Sequence, residues 1–223
     1  MTTSVPSQPS VLDRVRALRI VPVIVIDDPE HAVPLARALS DGGLPCAEVT
    51  LRTPRALESL RRIAAEVPDL LLGAGTVLTP AQAAEARSAG AQFIVAPGFN
   101  PAVVAHCQSV ELPIFPGVST PTEIEMALGA GLSVLKFFPA EAMGGLPFLR
   151  AIAAPYSGVS FLPTGGIGPA NLASYLAFPR VLACGGSWMA PNDLIAAERF
   201  DRIRDATKAA VALASAQRTG VSA

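Results

Sequence analysis

The stretch LLGAGTVLTPAQAAEARSAGAQFIVAP (residues 71–97) contains the unit that recurs along the whole chain. Two short apolar runs, LLGAG (71–75) and QFIVAP (92–97), flank an alanine-rich segment. Thr79-Pro80 has the form of a helix N-cap followed by proline at the first helical position, and Gly90 follows the segment as a C-terminal cap. The pattern predicts a strand, a helix and a second strand that runs parallel to the first.

The same alternation covers most of the sequence, and the Thr-Pro pair recurs at 53–54 and 120–121 as a predicted helix start. The eight candidate strands are VPVIVI (21–26), CAEVTL (46–51), LLGAG (71–75), QFIVAP (92–97), PIFPG (113–117), SVLKFF (133–138), SFLPT (160–164) and RVLAC (180–184). Eight strands, each followed by a helix, predict an α/β fold, a single (β/α)8 TIM barrel. An open doubly wound sheet is the alternative, because a strand count does not show closure.

No linker or shift in composition divides the chain, so we expect one domain over residues 10–216. A helix at about 10–19 precedes the first strand, where it would plug the bottom of the barrel. Residues 1–9 are polar and lack the features of a signal peptide, so we expect a disordered leader, and residues 217–223 a frayed tail.

Composition excludes several classes of partner. The net charge is −1 and no basic cluster is present, which argues against nucleic acid and anionic membranes. No apolar run is long enough to span a bilayer. Cys46, Cys107 and Cys184 are odd in number and lie in apolar context, which favours buried reduced thiols in a cytoplasmic protein. His31 and His106 have no partner at helical spacing, so we expect no histidine-based metal site.

The predicted strand SVLKFF carries a lysine inside an apolar run. The chain has only two lysines, Lys136 and Lys208, against fifteen arginines, and Glu48 interrupts the second strand in the same way. One interpretation is an interior ion pair, although a buried pair contributes little net stability. The other is a nucleophilic amine, because a dry pocket with an arginine nearby lowers the pKa of a lysine, whereas arginine stays protonated. We favour the second interpretation.

Polar and glycine-rich segments collect at the carboxyl ends of the predicted strands, where barrel enzymes place their chemistry. Two of them, TGG (164–166) and GGS (185–187), follow the seventh and eighth strands. Their backbone N–H groups, aimed at a following helix start, would bind a phosphate. The alternative is a pair of tight turns.

Five motifs together resemble a known family. They are EVTLRT (48–53), GAGTVLTP (73–80), LKFFPAE (135–141), PTGGI (163–167) and GGSW (185–188). From about residue 20 to 210, in the same order, the chain is similar to the 2-keto-3-deoxy-6-phosphogluconate (KDPG) and 4-hydroxy-2-oxoglutarate aldolases, bacterial class I lyases of the Entner–Doudoroff pathway of carbohydrate metabolism.

The resemblance implies a role for each matching residue. Lys136 would form a Schiff base with the substrate, and Glu48 would act as general acid and base. The remaining substrate-binding residues would be Arg52 and Thr76 for the pyruvate carboxylate, Pro97 and Phe138 for the pocket wall, Thr164 for the choice of epimer, and Gly165, Gly166, Gly186 and Ser187 for the phosphate.

The resemblance also implies an activity and an assembly. The substrate would be a phosphorylated keto acid, KDPG, cleaved to pyruvate and glyceraldehyde 3-phosphate; 4-hydroxy-2-oxoglutarate would give pyruvate and glyoxylate. The protein would be a cytoplasmic homotrimer without metal or cofactor. Pro45, Cys46 and Met143 depart from the family pattern and leave substrate breadth open.

Three alternatives stay open at this point. One alternative substrate is the galactonate epimer of KDPG, cleaved by the same chemistry. A metal-dependent pyruvate aldolase with carboxylate ligands is a different class of enzyme. A non-catalytic barrel, serving as a phosphate-binding or oligomeric scaffold, would make Lys136 a structural cation.

Overall fold

The structure is a computed structural model that describes residues 9–216. The predicted tail and all of the predicted leader except Pro9 lie outside the described residues. The strands are β1 (Ile20–Ile24), β2 (Cys46–Thr50), β3 (Leu71–Gly75), β4 (Phe93–Val95), β5 (Ile114–Phe115), β6 (Gly117–Val118), β7 (Val134–Phe137), β8 (Ser160–Pro163) and β9 (Cys184–Gly186).

Helices alternate with these strands along the chain. They are α1 (Val11–Leu18), α2 (Ala32–Asp41), α3 (Ala56–Glu66), α4 (Pro80–Ser88), α5 (Pro101–Ser109), α6 (Pro121–Gly129), α7 (Gly145–Ala153), α8 (Leu172–Leu176), α9 (Asn192–Ala196) and α10 (Phe200–Ala216), with a 3-10 turn at Pro29–His31. None of the helices within residues 9–216 has the length and apolar character needed to cross a bilayer.

Every pair of neighbouring strands is parallel, which confirms the predicted α/β class. Six strands form one sheet in the order β5-β4-β3-β2-β1-β9, and three form another in the order β6-β7-β8. Only Pro116 separates β5 from β6, because proline has no N–H for the ladder. Isolated bridges join Phe161 to Val181 and Thr164 to Gly185, between β8 and the segment that contains β9.

Alternation along the strands divides the buried side chains into two clusters. In β4, Phe93 and Val95 pack into a cluster made mainly of strand residues, called the inner cluster, whereas Ile94 packs outward against the helices. Val15 of α1 is fully buried in the same inner cluster. Burying each such side chain contributes about 1.5–3 kcal/mol relative to exposure.

The last strand differs from its prediction. β9 spans Cys184–Gly186 rather than 180–184, and its ladder to β1 pairs Val21 with Gly185. Val181 and Leu182 are buried, as their apolar character predicts, but the ladder to β1 includes only Cys184, Gly185 and Gly186. The two glycines therefore belong to the strand and not to the loop after it.

Thr-Pro pairs begin two of the three helices predicted from them. Thr79 and Thr120 cap α4 and α6, and each accepts a hydrogen bond from a backbone N–H in the first turn. The prediction at Thr53 was wrong, since α3 begins at Ala56 and the Thr53 hydroxyl donates to the Ile26 carbonyl at 2.7 Å. This bond instead ties the end of β2 to the segment that follows β1.

Candidate active site

The side chains of Lys136 and Glu48 contact each other. Lys136 is the third residue of β7 and Glu48 the third of β2, and they are 6% and 2% exposed. Their neighbours Leu135 and Phe137 pack outward, so alternation turns the amine inward. The Lys136 Nζ lies 3.6 Å from the Glu48 Oε1. The two charged residues that sequence reasoning selected are therefore brought together.

The carboxylate of Glu48 is incompletely satisfied. A separation of 3.6 Å is an ion-pair contact but is longer than a normal hydrogen bond, and the buried Oε1 has no hydrogen-bond partner among residues 9–216. Burial raises the pKa of Glu48, and the positive charges of Lys136 and Arg52 only partly offset this effect. Orphaned buried oxygens are rare in native proteins, so this oxygen is available to a ligand or a proton.

The neighbouring strand makes room for this side chain. A Cβ at Gly75 of β3 would lie 2.2 Å from the Glu48 Oε1, closer than any real contact. A glycine is therefore required beside the carboxylate. Sequence reasoning treated this glycine only as part of a strand end.

Both charged residues line a small cavity of about 10 Å³, with space for about one water molecule. Its polar lining is Glu48, Lys136 and Thr164, and its apolar lining is Val21, Phe93, Val95, Phe115 and Leu162. Sequence reasoning missed the five apolar residues because inward and outward positions of a fully buried strand look alike. The apolar walls lower the local dielectric around the ion pair.

Four predicted binding residues follow the carboxyl ends of strands around this cavity. Arg52 is exposed beyond β2, Pro97 follows β4, and the Phe138 ring centroid lies 5.0 Å from the Lys136 Nζ. Thr76 follows β3 in the left-handed region, with φ of 58°. A β-branched residue there is strained, and such strain concentrates at functional sites.

The glycine segments lie on the same edge of the strands. Thr164 bridges Gly185, and Gly165 and Gly166 have φ of 101° and 79°. Ser187 follows β9 and is exposed. No hydrogen-bond acceptor for the N–H groups of Gly165 and Gly166 is found within residues 9–216.

The predicted relation of these glycines to helix starts was wrong. The helices that follow, α8 and α9, begin only at Leu172 and Asn192 and have five residues each. The left-handed glycines turn the chain into a loop before α8 instead. An anion there would meet free backbone N–H groups rather than a helix dipole.

None of the three thiols lines the cavity beside Glu48 and Lys136. Cys46, Cys107 and Cys184 are buried and free, as predicted, and burial raises the pKa of Cys107 to about 11. Across residues 9–216 no three His, Cys, Asp or Glu side chains gather as a metal site would require.

Comparison with known proteins identifies the family. Residues 11–206 match the family model for KDPG and KHG aldolases. The 2-dehydro-3-deoxy-phosphogluconate aldolase of Treponema pallidum is 55% identical over 194 residues, which cover 87% of this chain and 92% of the relative. The KHG/KDPG aldolase of Escherichia coli is 50% identical over 192 residues, which cover 86% and 90%.

A solved structure extends the similarity to the fold. The KDPG aldolase of Legionella pneumophila, with pyruvate captured at low pH as a covalent carbinolamine intermediate, matches with a TM-score of 0.87 and 41% identity. The match covers 91% of this chain and 98% of the Legionella chain. By sequence and by fold, this chain belongs to the KDPG and KHG aldolase family and is an aldolase, a lyase.

Proposed function

We propose that the protein is a class I aldolase that cleaves KDPG to pyruvate and glyceraldehyde 3-phosphate, and 4-hydroxy-2-oxoglutarate to pyruvate and glyoxylate. The observation that carries this proposal is the Lys136–Glu48 pair, in which a buried amine faces an unsatisfied carboxylate oxygen at 3.6 Å. An ion pair that served only stability would be expected to complete its hydrogen bonds.

The first steps belong to Lys136. In its neutral form the amine adds to the C2 ketone of the substrate and forms a carbinolamine. Loss of water then gives an iminium, whose positive nitrogen accepts the electron pair released later from carbon. No metal or cofactor is needed in this scheme, because the iminium is the electron sink.

Glu48 moves the protons. As the carboxylate, directly or through one water, it removes the proton of the C4 hydroxyl, and the C3–C4 bond breaks to release the aldehyde. The electron pair remains as an enamine, which Glu48 protonates at C3, and water then frees pyruvate and the amine. One group that acts as base and then as acid works best with a pKa near the operating pH, and burial raises the pKa of Glu48 in that direction.

The mouth of the site would hold the substrate ends. Arg52 would bind the carboxylate in two hydrogen bonds with help from Thr76, while Pro97 and Phe138 form the wall. The phosphate would lie against the backbone at Gly165, Gly166, Gly186 and the Ser187 side chain. Thr164, which forms a bridge to Gly185 of β9, would favour the gluconate over the galactonate epimer of the substrate.

We also propose that the strands close into a single eight-stranded barrel over residues 10–216. The two bridges between β8 and the β9 segment and the near-continuity of β5 and β6 support closure. Burial of Val15 among inward-facing strand residues supports α1 as the cover of the amino-terminal end.

We propose a homotrimer in the cytoplasm. Exposure of Leu78 and Met126, at 49% and 45%, fits burial of these side chains between subunits. Three free thiols fit a reducing compartment. Sedimentation equilibrium at several concentrations tests the trimer, and a monomer throughout would contradict it.

Covalent trapping tests the chemistry. The protein is incubated with pyruvate and reduced with borohydride, and the adduct is located by intact mass and peptide mapping. We expect one reduced pyruvate on Lys136. No adduct, or an adduct on Lys208, would overturn the proposal.

Two further assays separate the alternatives. If a chelator abolishes activity and no adduct forms, the protein is a metal-dependent aldolase. If neither an adduct nor turnover is detected, it is a non-catalytic scaffold. A comparison of kcat/KM for KDPG and its galactonate epimer would decide the substrate.

A further inference from the structure

The loop that contains the glycines Gly165 and Gly166 is held through its carbonyl groups. Three consecutive carbonyls each accept a hydrogen bond from a neighbouring segment. The donors and acceptors are Ala140 N–H to Thr164 O at 2.8 Å, Glu141 N–H to Gly165 O at 3.0 Å, and Asn171 Nδ2 to Gly166 O at 3.0 Å. Within residues 9–216 no backbone carbonyl accepts from the N–H groups of Gly165 and Gly166, and successive N–H groups of left-handed glycines form a concave anion site.

Glu141 contacts this loop with both its backbone and its side chain. Its N–H donates to the Gly165 carbonyl, and its Cβ and Cγ pack against Gly166, where an added Cβ would lie 2.6 Å from each of them. The position of the Glu141 side chain is therefore coupled to the position of both glycines. Glu141 itself is exposed, so its carboxylate would otherwise turn toward water.

Tyr175 holds that carboxylate in place. Tyr175 lies on α8, is only 1% exposed, and its hydroxyl donates a hydrogen bond to the Glu141 Oε1. Burial, together with the nearby carboxylate, raises the pKa of Tyr175, so the hydroxyl keeps its proton and remains a donor. The Asn171 side chain, just before α8, also accepts from the Gly168 N–H at 2.8 Å.

We propose that the Tyr175–Glu141 hydrogen bond is a brace that positions the glycine loop for the substrate phosphate, which makes both residues positioning residues for this reaction. The inference rests on the proposed function, because it takes the phosphate to bind at Gly165 and Gly166. The bond links α8 to the segment after β7, and the loop lies between these two attachments.

The brace acts on one end of the site. Lys136 is held by the ladders of β7 to β6 and β8, which do not depend on Glu141. Loss of the brace is therefore expected to weaken binding of a phosphorylated substrate while the chemistry at Lys136 continues. A general loss of stability would instead affect all substrates alike.

Steady-state kinetics of Tyr175→Phe on two substrates test the proposal. KDPG carries the phosphate and 4-hydroxy-2-oxoglutarate does not. For KDPG we expect KM to rise by about tenfold with kcat nearly unchanged, the effect of losing one hydrogen bond to a charged group. For 4-hydroxy-2-oxoglutarate we expect kcat/KM to stay within about twofold of the wild type.

Matched variants separate the brace from a general effect. Tyr156→Phe is the control, because Tyr156 is the other tyrosine and also donates to a glutamate, Glu125, at 3.1 Å, away from the loop. Glu141→Gln keeps an acceptor and should behave like the wild type, whereas Glu141→Ala should reproduce Tyr175→Phe. If Tyr175→Phe fails to fold, the comparison of Glu141→Ala with Glu141→Gln tests the proposal by itself, because Glu141 is exposed and its replacement should not prevent folding.

The outcomes are distinct. Equal losses on both substrates, or no change in Tyr175→Phe and Glu141→Ala, would overturn the brace while leaving the proposed function intact. A wild-type protein that cleaves neither substrate would overturn the proposed function and the brace with it.

Discussion

Two glutamates, one in β2 and one in the first turn of α6, illustrate how differently the fold treats the same side chain. Glu48 is buried with an oxygen that has no hydrogen-bond partner among residues 9–216, and its pKa is raised by burial. Burial acts on the pKa of Glu123 in the same direction. However, the backbone N–H groups of Ser119 and Thr120 donate hydrogen bonds to the Glu123 Oε2 at 2.7 and 2.9 Å. Together with the hydroxyl groups of the same two residues, these bonds outweigh burial and hold the pKa of Glu123 below its usual value.

The two carboxylates therefore differ in how far their hydrogen bonds are completed. The hydrogen bonds of Glu123 complete the cap of α6 and stabilise the fold. Glu48 is left incomplete beside a buried amine, and this arrangement costs stability unless a ligand or a proton satisfies it.

Replacement of Lys136 should have the largest effect. Lys136→Arg keeps a cation beside Glu48 but supplies no neutral amine, so we expect turnover to fall by at least about 10⁴-fold, as for loss of a catalytic nucleophile. Pyruvate release measures turnover, and Lys208→Arg, at an exposed position of α10, should remain within about twofold of the wild type. Substantial activity in Lys136→Arg would mean that the pair is structural. Lys136→Ala should be equally inactive.

Glu48→Gln should be the next most damaging. Loss of a general acid and base is expected to slow kcat by about 10²–10⁴-fold, while borohydride still traps pyruvate on Lys136. Glu123→Gln is the matched control and should turn over at nearly the wild-type rate. Similar losses in both variants would remove the distinction between the two glutamates.

The raised pKa of Glu48 predicts the pH dependence. A raised pKa means that the carboxyl holds its proton at a higher pH, so the base form is lost as the pH falls through a value above 4.5, the ordinary value for glutamate. The acidic limb of kcat/KM should therefore lie above pH 4.5, with circular dichroism confirming that the protein stays folded. A limb at or below pH 4.5 would contradict this prediction.

Glu123→Ala should have the smallest effect, on stability rather than on turnover. A lowered pKa contributes stability that is present above pH 4.5 and is lost as the pH falls through the lowered value. We expect the free energy of unfolding in urea to drop by about 1 kcal/mol at pH 7 and the difference to shrink in acid. A difference independent of pH would show that the cap does not depend on the charge.

The residue types alone indicated which side chains could take part in the chemistry. Lys136 and Glu48 were found because charged side chains inside apolar strands are rare and need a partner. Three features differ from the predictions: the bounds of β9, the absence of a helix start at Thr53, and the loop between Gly166 and α8. They were missed because glycine and proline each occur in several kinds of local structure. Gly75 is required by a side chain from another strand, which no local pattern reveals.

By itself the sequence determined the order of parallel strands and helices, the two buried charged residues that we propose to react, and the resemblance to a family of aldolases. These properties depend on periodicity and residue chemistry, which act over a few neighbouring positions. Only the tertiary structure decided that Nζ and Oε1 lie 3.6 Å apart, that one carboxylate oxygen lacks a partner, and that Tyr175 reaches Glu141. Such contacts join residues far apart in the chain, and strand register and packing set them rather than local preference.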